Sequence, residues 1–190
     1  MAHTTDVRDT YAHKLGNNRW GLWLFIISDA AVFIGLFITR FILLPGQRPE
    51  LDQTIGLIVT VMLLASSFFM YRAEVHMRHG NLKAFQRSIL TTLILGVIFL
   101  LGVVAVEWQI AHFGPADGQE GAIFYVMTGF HAFHVLTGVV LLYWVYNNSK
   151  RGVYTKEQHW GVEAAAVYWH FIDVVWIFFY PALYLIGTVA

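Results

Sequence analysis

Long apolar runs, separated by short polar breaks, organise the whole chain. Runs long enough to cross a hydrocarbon core, about 20 residues, fall at roughly 20–44, 55–76, 88–112, 122–147 and 161–188. The breaks read PGQRPELDQT at 45–54, MRHGNLK at 77–83, FGPADGQEG at 113–121 and NSKRGVYTKEQ at 148–158. Each carries turn-forming Gly, Pro, Asn or Asp. The pattern predicts an all-α, polytopic membrane bundle of five transmembrane helices. Connections this short make neighbouring helices antiparallel. A polar tail at 1–19 precedes a single transmembrane domain at 20–190, with no internal repeat and no linker that divides it. The first apolar run exceeds the length of a signal-peptide core, so no signal peptide is expected.

Composition narrows the class. Hydrophobic residues make up 57% of the chain and charged ones 13%, with a mean hydropathy of +0.58. A soluble domain carries about 25% charge. Lipid must therefore supply part of the solvent. Formal net charge is zero, which argues against the basic face that nucleic-acid binding needs. There is no cysteine, which excludes disulfides, thiolate metal sites and Cys-ligated clusters.

Charge placement predicts orientation. Arg8, Lys14 and Arg19 precede the first span; Arg72, Arg78, Lys83 and Arg87 flank the second break; Lys150, Arg151 and Lys156 lie in the fourth. Only Arg40 and Arg48 fall on the opposite side. Cationic residues stay cytoplasmic, so the N-terminus is expected inside and, after five spans, the C-terminus outside. Trp20, Trp23, Trp108, Tyr143, Trp144, Tyr146, Trp160, Tyr180 and Tyr184 lie near span ends, as an interfacial aromatic belt does.

Ionisable residues inside the spans are the candidate chemistry, because such groups are costly in lipid and usually have a partner or a function. They are Asp29, Glu107, His131, His134, Glu163, His170 and Asp173. Asp29 lies about 14 Å into the first helix at 1.5 Å per residue. His131 and His134 are three apart and share a helix face. Glu163, His170 and Asp173 form a polar stripe along the last helix. Small residues accompany them, among them Ser28, Gly35, Gly129, Gly138 and Ala164 to Ala166, and these allow close helix approach. Three readings stand open on spacing alone. The polar groups satisfy one another and fix packing, or the histidines ligate haem or a metal, or the acids and histidines relay protons. An HxxH spacing without the HExxH glutamate is weak evidence for metal. A transporter is disfavoured, since no inverted repeats or matching broken helices are visible.

The same residues carry a family resemblance. FYVMTGFHAFHVLTGVVLL (124–142) resembles the penultimate helix of subunit III of the haem–copper (cytochrome c) oxidases, with its TGFHxxHVxxG pattern at Thr128, Gly129, Phe130, His131, His134, Val135 and Gly138. EAAAVYWHFIDVVWIFFYPALYLIG (163–187) is similar to the final helix, with YWHFxDxVW at Tyr168, Trp169, His170, Phe171, Asp173, Val175 and Trp176. LWLFIISDAAVFIGLF (22–37) resembles the LFxxSExxxFxxxF helix, and 63–108 looks like the corresponding helix pair. The resemblance implies a non-redox accessory subunit of a proton-pumping terminal oxidase in a bacterial plasma membrane. It implies packing on subunit I beside subunit II, bound phospholipid, and support of proton uptake. Haem and copper are expected in the partner subunits and none in this chain. His131, His134 and His170 then become packing or polar-network residues, and Gly129, Gly138, Tyr168, Trp169 and Trp176 become motif packing residues. The mitochondrial form has seven helices, of which this chain resembles the last five. Its first-helix carboxylate is usually Glu, where this chain has Asp29. Two other readings are carried forward: an accessory membrane protein of a nitric oxide reductase system, and an independent bis-His haem electron carrier.

Overall fold

The computed structural model of the protein describes residues 2–189, with side chains from 14 to 189. Arg8, one of the cations behind the predicted orientation, lies outside the described side chains, and Met1 and Ala190 lie outside the described residues. Five helices are long and apolar enough to cross a membrane. They are α1 (Ala2–Leu43), α2 (Gln53–Arg78), α3 (Leu82–Ile110), α4 (Gly118–Lys150) and α5 (Trp160–Leu185).

The spans expected from hydropathy are all present; each helix starts earlier than expected, the second and fourth end later, and the first, third and fifth end slightly earlier. The expected tail at 1–19 continues α1 helically from Ala2. That stretch has no proline to break it. Asp52 caps α2, its carboxylate accepting from the backbone N–H groups of Thr54 and Ile55, and Asn81 caps α3 by accepting from Ala84 N. Such caps satisfy orphan N–H groups and start helices upstream of the apolar run. This is why α3 begins at Leu82 rather than 88.

Both α3 and α5 widen near one end. In α3 the backbone forms a π-helical turn at Gly102–Glu107, and in α5 at Pro181–Leu185. Pro181 has no N–H to donate, so the regular ladder cannot continue through it.

α5 is the most enclosed span and α1 the least. α5 packs on α2 through side chains that are polar at their tips. Trp169 Nε1–H donates to Ser66 Oγ at 3.0 Å, and Trp176 Nε1–H to Thr60 Oγ1 at 2.9 Å. Each hydroxyl in turn donates to a carbonyl of its own helix, Leu63 O and Gly56 O. Every donor in these contacts is used, as a water-free interior demands. α2 and α3 form an extensive pair, and α1 packs on α4 and α5. α1 and α5 run parallel, since Arg19 meets Glu163 near their starts and Arg40 meets Ala182 near their ends.

Glycine makes room for the Trp169 ring. A Cβ at Gly96 of α3 would stand 2.5 Å from Trp169 Cη2, and one at Gly138 of α4 would stand 3.0 Å from its Cε3. Gly35 of α1 has nothing within 4 Å of that position. Gly96→Ala is expected to lower stability by about 1–3 kcal/mol through overpacking, whereas Gly35→Ala is expected to be neutral. Thermal unfolding of the two purified variants in detergent compares them directly. Equal midpoints would contradict the packing described for Trp169.

Candidate functional site

The polar groups at mid-membrane are brought together by α1, α4 and α5. Asp29 of α1 faces His134 of α4, whose Nε2 lies 3.3 Å from Asp29 Oδ1 and 3.2 Å from Oδ2. His134 Nδ1–H donates to Phe130 O at 2.7 Å. A carbonyl only accepts, so Nδ1 carries a proton. Nε2 is thereby left to face the Asp29 carboxyl. Phe33 walls this contact, its ring centroid 4.9 Å from that of His134 and 5.1 Å from that of Phe130. Beside it, Thr137 Oγ1–H donates to His134 O at 2.8 Å. The Tyr168 O–H consequently donates to Thr137 Oγ1, at 2.7 Å.

His131 does not share the fate of His134, although both rings touch Phe33. Residues three apart on a helix stand about 60° apart around it, and that offset sends the two rings to different neighbours. His131 is fully buried, lying against Trp176 of α5 at 4.8 Å and Phe99 of α3 at 5.7 Å between ring centroids. Neither of its nitrogens has a hydrogen-bond partner among the described residues. A Cβ at Gly129, two residues earlier, would meet Trp108 only in ordinary contact at 3.6 Å.

The stripe expected along α5 is present in register but does not act as one group. Glu163 sits at the start of the helix, 3.2 Å from Arg19 Nη2 and 3.4 Å from His159 Nε2. His170 Nδ1 meets Ser67 Oγ of α2 at 2.7 Å. Asp173 is buried, and neither carboxylate oxygen has a hydrogen-bond partner among the described residues.

Towards the other end, Glu107 projects from the widened turn of α3. With Tyr184 of α5 it lines a cleft of about 470 Å³ that also reaches Asp52 and His112. The Glu107 carboxylate and the Tyr184 hydroxyl are buried without a hydrogen-bond partner among the described residues. Tyr184 is thus a core residue rather than part of an aromatic belt. Trp108 also leaves the belt, donating its Nε1–H to Thr128 Oγ1 at 3.1 Å. Trp20, Trp23, Tyr143 and Trp144 remain exposed at the opposite end.

Sequence reasoning missed Arg40. Charge placement puts it among the outer cations; the structure buries it, at 1% exposure. Its guanidinium donates to Ala182 O and Leu44 O, each at 2.9 Å, to Ile186 O at 3.1 Å, and to Gln47 O. The signal was available, since Arg40 falls inside the expected span 20–44 and meets the same test as Asp29. The partners Thr60, Ser66 and Ser67 were missed too. A hydroxyl in an apolar run must find an acceptor, and that rule singles them out.

The three mid-membrane histidines do not form a ligand set. His134 has both nitrogens engaged, His170 has Nδ1 on Ser67, and His131 lies against indole and phenyl rings. Among the described residues, no group of three or more His, Cys, Asp or Glu is placed to hold a metal ion.

The fold and this buried constellation define a polytopic membrane helix bundle whose polar residues join its helices. The model of the family described as "Cytochrome c oxidase subunit III" matches residues 2–188. "Cytochrome c oxidase subunit 3" of Synechocystis sp. is 34% identical over 175 residues, covering 88% of this chain and 75% of that protein. The protein of the same name from Thermostichus vulcanus is 34% identical over 190 residues, covering 96% of this chain and 94% of the relative. The one from Hippopotamus amphibius is 36% identical over 183 residues, covering 90% and 70%. The chain belongs to the cytochrome c oxidase subunit III family.

Two predictions come from the buried acids. Asp29→Leu and His134→Leu should each destabilise, because each leaves a buried partner unsatisfied. The double variant should lose about 1 kcal/mol less than the two singles together, as measured by denaturant unfolding in detergent. Strict additivity would mean the pair is not coupled. At Asp173, substitution by Leu should be the milder change, with Lys about 3 kcal/mol less stable than Leu at this depth. Equal loss of assembled protein for both would contradict a dry setting for Asp173.

Proposed function

We propose that this chain is a non-redox accessory subunit of a proton-pumping haem–copper terminal oxidase of the aerobic respiratory chain. It packs directly on the catalytic subunit I, in a complex with subunit II, stabilises that subunit and supports its proton uptake. Haem and copper belong to the partner chains. The observation that carries this reading is the use of the family-motif residues: His134 is held by Asp29, Trp169 and Trp176 by hydroxyls of α2, and Tyr168 by Thr137. An imidazole with both nitrogens hydrogen-bonded, as in His134, has none free to ligate a haem or metal.

Orientation follows from charge. The cation-rich end of the bundle faces the cytoplasm and the C-terminus faces outward, in a bacterial plasma membrane. Glu163, His159 and Arg19 then lie on the side from which protons are taken up. Phospholipid is the expected ligand of the groove between α1 and α5. This groove of about 380 Å³ is walled by Ala30, Phe33, Ile34, Phe37, Phe171 and Phe178 among other apolar residues. Apolar walls of this kind suit an acyl chain.

Affinity purification of the tagged full-length chain from its native membrane in mild detergent, followed by mass spectrometry, tests the assignment. Subunits I and II of a haem–copper oxidase should co-purify with oxygen-consuming activity. Recovery with nitric oxide reductase subunits instead would overturn it.

A further inference from the structure

At the end of the bundle away from most of the cations, α3 and α5 each bring a widened turn to one cleft. Glu107 closes the turn of α3, and Tyr184 lies in that of α5. π-helical turns are rare and recur at functional sites. Glu107 is 4% exposed and Tyr184 1%. Three oxygens, two of the carboxylate and one of the phenol, have no hydrogen-bond partner among the described residues. A buried carboxylate without a partner is costly, and this one lines a cleft rather than a packed interior. The Tyr184 ring is held in place. A Cβ at Gly56 would stand 2.5 Å from its Cε1, and its centroid lies 5.1 Å from that of Tyr180.

The mouth of the cleft is acidic. Glu50 and Asp52 are exposed there beside His112. Among the described residues, no lysine or arginine lines the cleft, and Glu50, Asp52 and Glu107 form no ion pair. Arg40, the buried cation at this end, is engaged with carbonyls. α3 and α5 both end here, and helix C-termini favour cations. An acidic mouth alone is ordinary solvated surface; the buried Glu107 behind it is what calls for a positive ligand. A hard divalent metal ion takes six to eight oxygen ligands, and no metal-holding group is present among the described residues. An ammonium has three donors and no acceptor, which matches the three unpartnered oxygens. Leu51, Ile55 and Ile110 add an apolar wall, against which an aliphatic stem packs well. A headgroup amine that carries phosphate beside it would be repelled by Glu50 and Asp52.

We propose that this cleft binds a primary ammonium group on an aliphatic stem. The ammonium donates to Glu107 and Tyr184, and the stem lies against Leu51, Ile55 and Ile110. That chemistry belongs to a lysine side chain of a neighbouring protein or to a free alkylamine. The site depends on the fold alone and not on the oxidase assignment.

Saturation-transfer NMR of the intact chain in detergent, titrated with butylammonium chloride at neutral pH and constant ionic strength, tests this. Tetramethylammonium, which has the charge but no N–H, should bind at least about tenfold more weakly, because hydrogen bonds to charged groups are the strong ones. Glu107→Gln should weaken butylammonium by at least about tenfold. Tyr184→Phe, which keeps the ring, should weaken it about fivefold. Glu120→Gln, a carboxylate at the same end but outside the cleft, should change binding less than about twofold. Equal binding of the two cations would overturn the proposal, as would an equal loss in Glu120→Gln or displacement of the amine by calcium. The native complex then distinguishes the sources. A partner lysine shielded from acetylation in the wild-type complex and labelled in the Glu107→Gln complex assigns the site to a protein. Butylammonium binding retained by the complex assigns it to a free amine. A complex that does neither would overturn the proposal.

Discussion

The seam between α2 and α5 carries this bundle. Three polar contacts cross it in antiparallel register: Trp176 to Thr60, Trp169 to Ser66 and His170 to Ser67. In hydrocarbon, helices gain little from burying apolar surface against one another, so close packing and hydrogen bonds decide how they meet. The Trp169 indole can enter the seam because Gly96 and Gly138 leave it the volume of a side chain. α4 is positioned against those same rings, and α1 against α4 and α5. The Asp29–His134 contact joins α1 to α4, which itself packs on α5 beside Trp169 and Trp176.

The opposite end of the molecule is held by a cation that pairs with no carboxylate among the described residues. Helix C-termini carry partial negative charge on unpaired carbonyls, and Arg40 gathers such carbonyls from the ends of α1 and α5. Next to it, Gln47 and Arg48 pair in parallel with Thr188 and Val189, while Gln53 Nε2 donates to Tyr184 O at 3.2 Å. One buried guanidinium thus joins the first span, the first connection and the last turn of the chain. The widened turn at Pro181–Leu185 belongs to this arrangement, since it presents Ala182 O to Arg40 and brings Tyr184 beside Glu107 in one cleft.

Apolar run length made the five spans legible in the sequence, because the bilayer imposes that length on any helix that crosses it. Helix ends were less legible, since Asp52 and Asn81 start their helices with polar caps that hydropathy does not see. Asp29 and His134 could each be picked out as intramembrane polar residues, but their pairing could not, because it depends on how α1 and α4 lie side by side. The shared face expected of His131 and His134 dissolved for the same reason: an offset of a fraction of a turn places one ring beside a carboxylate and the other beside indole and phenyl. Position along their helices makes Tyr184 and Trp108 look interfacial, whereas the fold turns both towards neighbouring helices. Depth along a span is readable from sequence, whereas the side of a helix that meets a neighbour is not.

Membership of the cytochrome c oxidase subunit III family and the geometry of the buried residues bear on one claim, that the histidines of this chain join helices instead of holding a redox centre. His134, with Nδ1 on Phe130 O and Nε2 on Asp29, has no nitrogen free for axial ligation, and His131 is enclosed by the rings of Trp176 and Phe99. The most direct measurement is the reduced-minus-oxidised optical spectrum of the purified chain, separated from its partners. The account predicts no haem band. A stoichiometric haem band, abolished by replacing His131 or His134, would contradict it.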